Sequence, residues 1–155
     1  MKPNRIPVLT LALLSSILVA SAQDTKPMAK KEPRKEPTTS EPARLERGKY
    51  LVEEVGRCQE CHTPTLPDGT FDRANWMKGA SLVGIPASPI DDWHQKAPDI
   101  TSTSKLWERW KVEGFVKFLQ TARNPRGGKA GPPMPAYTLK PEDAEAITAY
   151  LKSLP

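Results

Sequence analysis

The sequence predicts an all-α fold of several short helices joined by long proline- and glycine-rich loops. Three observations predict it. Apolar residues recur at three- and four-residue steps in three separate segments, the spacing that places them on one helical face. Between those segments no apolar–polar alternation marks a strand. The 17 prolines and 9 glycines among 155 residues punctuate the intervening stretches as loops.

The first helical segment carries Leu45, Gly48, Leu51, Val52 and Val55. The second covers residues 107–122 and places Trp110, Phe115, Val116 and Leu119 on one face. The last opens at Pro141, a favoured first helical position, with Glu142 and Asp143 at its positive end. Ile147, Leu151 and Leu154 line its apolar face. Loops of this length in so small a chain need something to pack against.

Residues 1–22 have the layout of a secretory signal: Lys2 and Arg5 first, an apolar run from Val8 to Ala20, then Ala20-Ser21-Ala22 as a small-x-small cleavage site before Gln23. An uncleaved membrane anchor is the alternative, although the run is short for a span of about 20 residues. With no cysteine near the cleavage site, a lipoprotein is excluded. Residues 23–43, rich in Pro, Lys, Glu, Thr and Ser, are too polar to offset their ordering entropy and are expected to form a disordered tether. The folded domain is expected at 44–155, exported to the bacterial periplasm.

The net charge is +5 and drops by two, to +3, if Lys2 and Arg5 leave with a signal. No dense basic stripe is present, which argues against a nucleic-acid binder. The remaining lysines read as a solvated surface, with a rim that steers an acidic partner as the rarer possibility.

The chain has two cysteines, in Cys58-Gln59-Glu60-Cys61-His62. In an exported protein such a pair is a disulfide, a redox or metal site, or a cofactor attachment. Cysteines three apart, followed at once by histidine, form the c-type haem attachment pattern. On a helical turn positions three apart share a face. Both sulfurs can then reach one edge of a porphyrin, and His62 can swing beneath the ring to ligate iron. A thioredoxin-like Cys-x-x-Cys belongs beside a strand in a βαβ unit, which is not seen. Zinc lacks a second ligand pair. One covalent haem c is therefore expected.

An electron-transfer haem usually has its sixth position filled, and the candidates for a second axial ligand are Met28, Met77, His94 and Met134. Met134 lies in Gly131-Pro132-Pro133-Met134-Pro135-Ala136-Tyr137, where flanking prolines make a stiff loop able to present a thioether to iron. His/Met ligation raises the reduction potential and suits one-electron relay. Met77 reads as core packing. His94 is the main rival, and with it the site would be bis-histidine with a lower potential; otherwise it is a surface-loop residue.

Arg47-Gly48-Lys49-Tyr50-Leu51-Val52 leading into Cys58-Gln59-Glu60-Cys61-His62-Thr63-Pro64 resembles the start of a class I, monohaem cytochrome c domain. It is similar to the domains found in cytochrome subunits of membrane-linked bacterial dehydrogenases. Ala97-Pro98-Asp99-Ile100-Thr101, the 110–116 segment, Arg123-Asn124-Pro125-Arg126-Gly127, and Met134-Pro135-Ala136-Tyr137 with Pro141-Glu142-Asp143 extend the likeness over residues 44–155. The resemblance implies a cytochrome c-like fold wrapped around one haem. It implies thioethers at Cys58 and Cys61, His62 as proximal and Met134 as distal ligand. It also implies a hydrogen bond from His62 to the Pro98 carbonyl, and close crossing of the first and last helices at Gly48, near Ile147 and Leu151. Lys140 stands where Ser or Thr often caps the last helix, and the 68–92 stretch is longer than the pattern. The partners implied are redox proteins, a dehydrogenase or an oxidase, with no small-molecule substrate. Membrane association would come through a partner or an uncleaved signal.

Trp107, Arg109, Trp110 and Tyr137 are open between haem-edge or propionate neighbours and plain core or surface packing, and the roles of Trp76 and Trp93, at the long stretch, are left open. Three functions compete: an electron carrier, a haem enzyme or gas sensor with an open sixth position, and a thiol–disulfide oxidoreductase.

Overall fold

The computed structural model describes residues 40–82 and 90–155. The signal expected at 1–22, nearly all of the tether at 23–43, and Met28 lie outside the described residues. Helix α1 (Glu41–Tyr50) begins within the last residues assigned to the tether, so the boundary at 43/44 falls inside its first turn. Pro42 near its N-terminus and Glu41 in its first turn suit a helix start. Leu51–Val55 continues α1 as one turn of π-helix, closed by Gly56 N–H donating to the Leu51 carbonyl at 2.8 Å. The wider turn rotates the face: Leu51 and Val52 are buried, whereas Val55, expected on the same side, is 58% exposed.

A four-residue helix, α2 (Gln59–His62), follows a turn through Arg57 in the left-handed region. A 3₁₀ turn covers Arg73–Asn75. Strands β1 (Ala80–Ser81) and β2 (Lys96–Ala97) pair antiparallel, Ala80 opposite Ala97 and Ser81 opposite Lys96. This short ladder carries too few residues to show an alternating pattern. Helix α3 (Leu106–Thr121) was expected as one continuous helix, but Lys111, at φ 57° and ψ 171°, breaks it. Such a conformation costs on the order of 1–3 kcal/mol for a non-glycine residue. Aromatic packing across the break offsets it: Trp107 meets Phe115 edge-on at 4.9 Å, and Trp110 meets Phe118 at 5.1 Å. Helix α4 is Pro141–Ser153, and Lys140 provides no side-chain cap.

α4 is the hub, crossed by α1 and flanked by α3. At the crossing, a Cβ on Gly48 would lie 2.1 Å from the Ala146 carbonyl oxygen and 2.7 Å from Tyr150 Cβ. The helices therefore meet over Ala146 and Tyr150, beside the Ile147 and Leu151 near which the crossing is expected, and Ile147 and Leu151 turn into the core. Arg47 closes one end of the crossing by donating to Asp143 Oδ1 at 3.0 Å. The core gathers Leu51, Val52, Met77, Ile100, Leu106, Phe118 and Leu151. α2 is tied to the segment after β2 by the His62–Pro98 contact, and the 130–139 loop to the turn before α2 by Tyr137, so these segments carry the candidate chemistry.

Candidate haem site

Cys58 caps the N-terminus of α2 and Cys61 lies within it, so both thiols are delivered by one helical turn. Both are unbridged and half-buried. Burial pushes the Cys58 thiol up to about 11. The Cys61 thiol is raised too, by burial first and by the Glu60 carboxylate second. Redox Cys-x-x-Cys pairs work through a lowered thiol pKa. Here the shift runs the other way, and no βαβ unit surrounds the pair among the described residues. The pair thus lacks the lowered thiol pKa of an activated redox couple.

His62 ends α2 and is buried. Its Nδ1 lies 2.7 Å from the Pro98 carbonyl oxygen. A carbonyl can only accept, so Nδ1 carries the proton and Nε2 keeps its lone pair. Nε2 has no hydrogen-bond partner among the described residues. Burial is the largest influence on the imidazole and holds its pKa below the ordinary value, against the opposing pull of the Pro98 carbonyl and Asp99. A buried, neutral imidazole with one nitrogen anchored and the other bare is the arrangement a metal-ligating histidine needs.

The surroundings hold that carbonyl in place. Asp99 Oδ1 accepts from the Thr101 N–H at 2.8 Å and from the Thr101 hydroxyl at 2.9 Å, a side-chain-closed turn. The Ser104 hydroxyl donates to the Asp99 carbonyl, and Trp107 Nε1 to the Thr101 carbonyl, each at 2.5 Å. Gly79, at φ 91°, threads between the two halves of the site: its N–H donates to the His62 carbonyl at 2.8 Å, and a Cβ there would lie 2.9 Å from the Asp99 nitrogen. Only glycine satisfies both the backbone angle and the space.

Met134 lies in the 131–137 loop, half-buried against the core. Leu139 N–H donates to the Leu119 carbonyl at 3.0 Å and Ala130 N–H to the Ala122 carbonyl at 2.8 Å, so both ends of the loop are tied to the end of α3. The Tyr137 hydroxyl reaches the Gly56 carbonyl at 3.4 Å, linking this loop to the turn before Cys58. Met77 is fully buried in the core, its N–H accepted by the Thr63 hydroxyl at 2.9 Å, and so is a packing residue. His94 is exposed, as expected of a loop residue, yet its backbone N–H donates to the Pro132 carbonyl at 2.8 Å.

Among the tryptophans, Trp107 and Trp110 belong to the aromatic packing around α3. Trp76 stands edge-on to Phe71 with the Arg73 guanidinium 4.1 Å above its ring. Trp93 Nε1 is buried without a partner among the described residues. Sequence reasoning passed over Gly79 and quoted Thr63 and Asp99 in motifs without giving either a role. Only the Asp-x-Thr spacing of Asp99 and Thr101 carried a local signal, that of an Asx turn.

The donor set, two thiols on one turn with a poised imidazole, fits haem c. The family profile described as Cytochrome c matches residues 45–155. The chain is 35% identical over 115 residues to a protein of Cereibacter sphaeroides named Diheme cytochrome c-type, covering 71% of this chain and 35% of that protein. It is 35% identical over 117 residues to the Alcohol dehydrogenase (quinone), cytochrome c subunit of Gluconobacter oxydans, covering 70% of this chain and 23% of that one. To the Fructose dehydrogenase cytochrome subunit of Gluconobacter japonicus it is 30% identical over 115 residues, 70% of this chain and 22% of that one. The chain thus spans about a third or less of the length of these relatives. With a family profile matching residues 45–155, from within α1 to the last residue, and a donor set that fits the cofactor, the chain belongs to the cytochrome c family, electron-transfer proteins that hold haem covalently.

Proposed function

We propose that the chain is an exported, periplasmic monohaem cytochrome c that relays single electrons for a dehydrogenase. Cys58 and Cys61 hold the haem, His62 is its proximal ligand and Met134 its distal ligand. Bound haem supplies a one-electron ferric/ferrous couple. The chain's own residues do the rest. The two thiols, presented by one turn, fix the porphyrin edge whichever oxidation state the iron takes. Pro98 orients the His62 ring and raises the basicity of Nε2. The loop carrying Met134, tied at both ends to α3, offers a soft thioether that favours the ferrous state. Ile100, Leu106 and Leu51 pack nearby and keep the surroundings apolar.

The observation that carries this reading is the 2.7 Å contact between His62 Nδ1 and the Pro98 carbonyl beside two free thiols. Two cysteines in the chain support a single haem. Relatives named as cytochrome subunits of alcohol and fructose dehydrogenases support a dehydrogenase as electron donor. The layout of residues 1–22 supports export; among the described residues no helix is long and apolar enough to cross a membrane.

A potentiometric titration of the purified holoprotein tests the function. One Nernstian wave with one electron, from a low-spin iron that shows the methionine–iron charge-transfer band, is expected. A high-spin ferric spectrum that takes up cyanide or carbon monoxide without displacing a protein ligand points instead to an open-site enzyme or gas sensor.

A further inference from the structure

One short strap touches both arms of the site. At its far end Pro98 accepts from His62 Nδ1 at 2.7 Å. Four residues earlier, the His94 N–H donates to the Pro132 carbonyl in the loop that carries Met134, at 2.8 Å. The His94 imidazole then lies directly on Gly131, at the base of that loop. A Cβ on Gly131 would stand 2.3 Å from His94 Nε2, 2.5 Å from His94 Cδ2 and 3.0 Å from the Asp92 carbonyl oxygen. Between its two ends the strap is pinned in place: Ser81 and Ala80 pair with Lys96 and Ala97, and Leu82 N–H donates to the Gln95 carbonyl at 2.9 Å.

We propose that residues 94–98 are a positioning strap that holds the Met134 loop closed over the iron, with the His94 imidazole seated on Gly131 as its clasp. The inference rests on Met134 being the distal ligand. The strap ties the loop to the same backbone that orients His62, so the two ligand arms are held at a set spacing. His94 touches neither ligand; it acts through Gly131 and Pro132. The absence of a Cβ at Gly131 is what lets the imidazole lie on the loop backbone. A methyl group there pushes the imidazole off the loop backbone and so removes the clasp, while the loop's other ties at Ala130, Tyr137 and Leu139 stay in place.

The test is the rate at which ferric holoprotein binds added imidazole or cyanide, which requires Met134 to leave the iron. It is measured for wild type, Gly131→Ala, His94→Ala and the double variant, with thermal unfolding recorded for each. Each single variant is expected to speed ligand entry about tenfold while the unfolding midpoint stays near wild type. The double variant should be no faster than the faster single, because both remove the same contact. Wild-type rates in both single variants overturn the strap, as do single effects that multiply in the double. Met134→Ala separates the two ideas. If it leaves the charge-transfer band and the entry rate unchanged, the ligand assignment itself is wrong and the strap falls with it. If it abolishes the band while the strap variants behave as wild type, the ligand assignment stands and the strap alone is rejected.

Discussion

Met134→His is expected to lower the reduction potential of the holoprotein by on the order of 0.1 V or more and to abolish the methionine–iron charge-transfer band. A thioether is a soft, weak donor that favours ferrous iron, whereas imidazole is a stronger donor that stabilises the ferric state. Axial ligands shift haem potentials over a range of roughly 0.8 V, so this exchange should exceed any effect of altered packing. Met77→Ala is the matched control. Met77 is fully buried in the core, and truncating a buried methionine costs about 2–5 kcal/mol. Its variant should lose stability and keep both the potential and the band. Spectroelectrochemistry on the two variants reads the difference. Equal potentials for wild type and Met134→His would remove Met134 from the iron.

The second large effect is on stability. Gly48→Ala should lower the unfolding midpoint of the domain by on the order of 10 °C. Two opposing effects decide the sign. Alanine in a helix interior is favoured over glycine by about 1 kcal/mol. Against that, the new methyl would stand 2.1 Å from the Ala146 carbonyl oxygen and 2.7 Å from Tyr150 Cβ. The obstacle is backbone in the middle of α4, so no rotamer change relieves it, and the two helices must separate along the crossing that organises the core. Overpacking of this kind costs about 3 kcal/mol or more, which outweighs the propensity gain. For a domain of about this size each kcal/mol moves the midpoint by roughly 4–8 °C. Circular dichroism melts of holoprotein check it. A midpoint equal to or above wild type would show that α1 and α4 do not cross where Gly48 sits.

What could be seen in the sequence was what is local. Cys58, Cys61 and His62 are neighbours in the chain, and their spacing on one turn carries the chemistry without reference to the rest of the fold. Three helical segments were visible because their apolar faces repeat within a few residues. The 131–137 loop stood out because its prolines restrict the backbone on either side of Met134. The resemblance added Pro98, whose carbonyl lies against His62 in space but 36 residues away in sequence. What stayed hidden depends on distant backbone. Nothing within 107–122 announces a break at Lys111; it arises because Trp107 and Trp110 pack on Phe115 and Phe118 across it. The π-turn at Leu51–Val55 shifts the helical face by a fraction of a turn, enough to expose Val55, which periodicity alone places inside. Gly79 looks like any loop glycine until the chain folds and its N–H meets the His62 carbonyl. The Gly48 crossing shows the same limit: periodicity identifies the apolar face of α4 but not that Ala146 and Tyr150 are the residues Gly48 meets.

Intact mass under denaturing conditions is the most direct measurement. The mature protein is made in a bacterium that attaches haem to exported apoproteins, then unfolded and weighed. A polypeptide heavier by one haem, still red after unfolding, and reverting to the unmodified mass when Cys58 and Cys61 are both replaced by alanine, is the expected result. A colourless chain weighing no more than its amino acids contradicts covalent attachment through this pair of thiols.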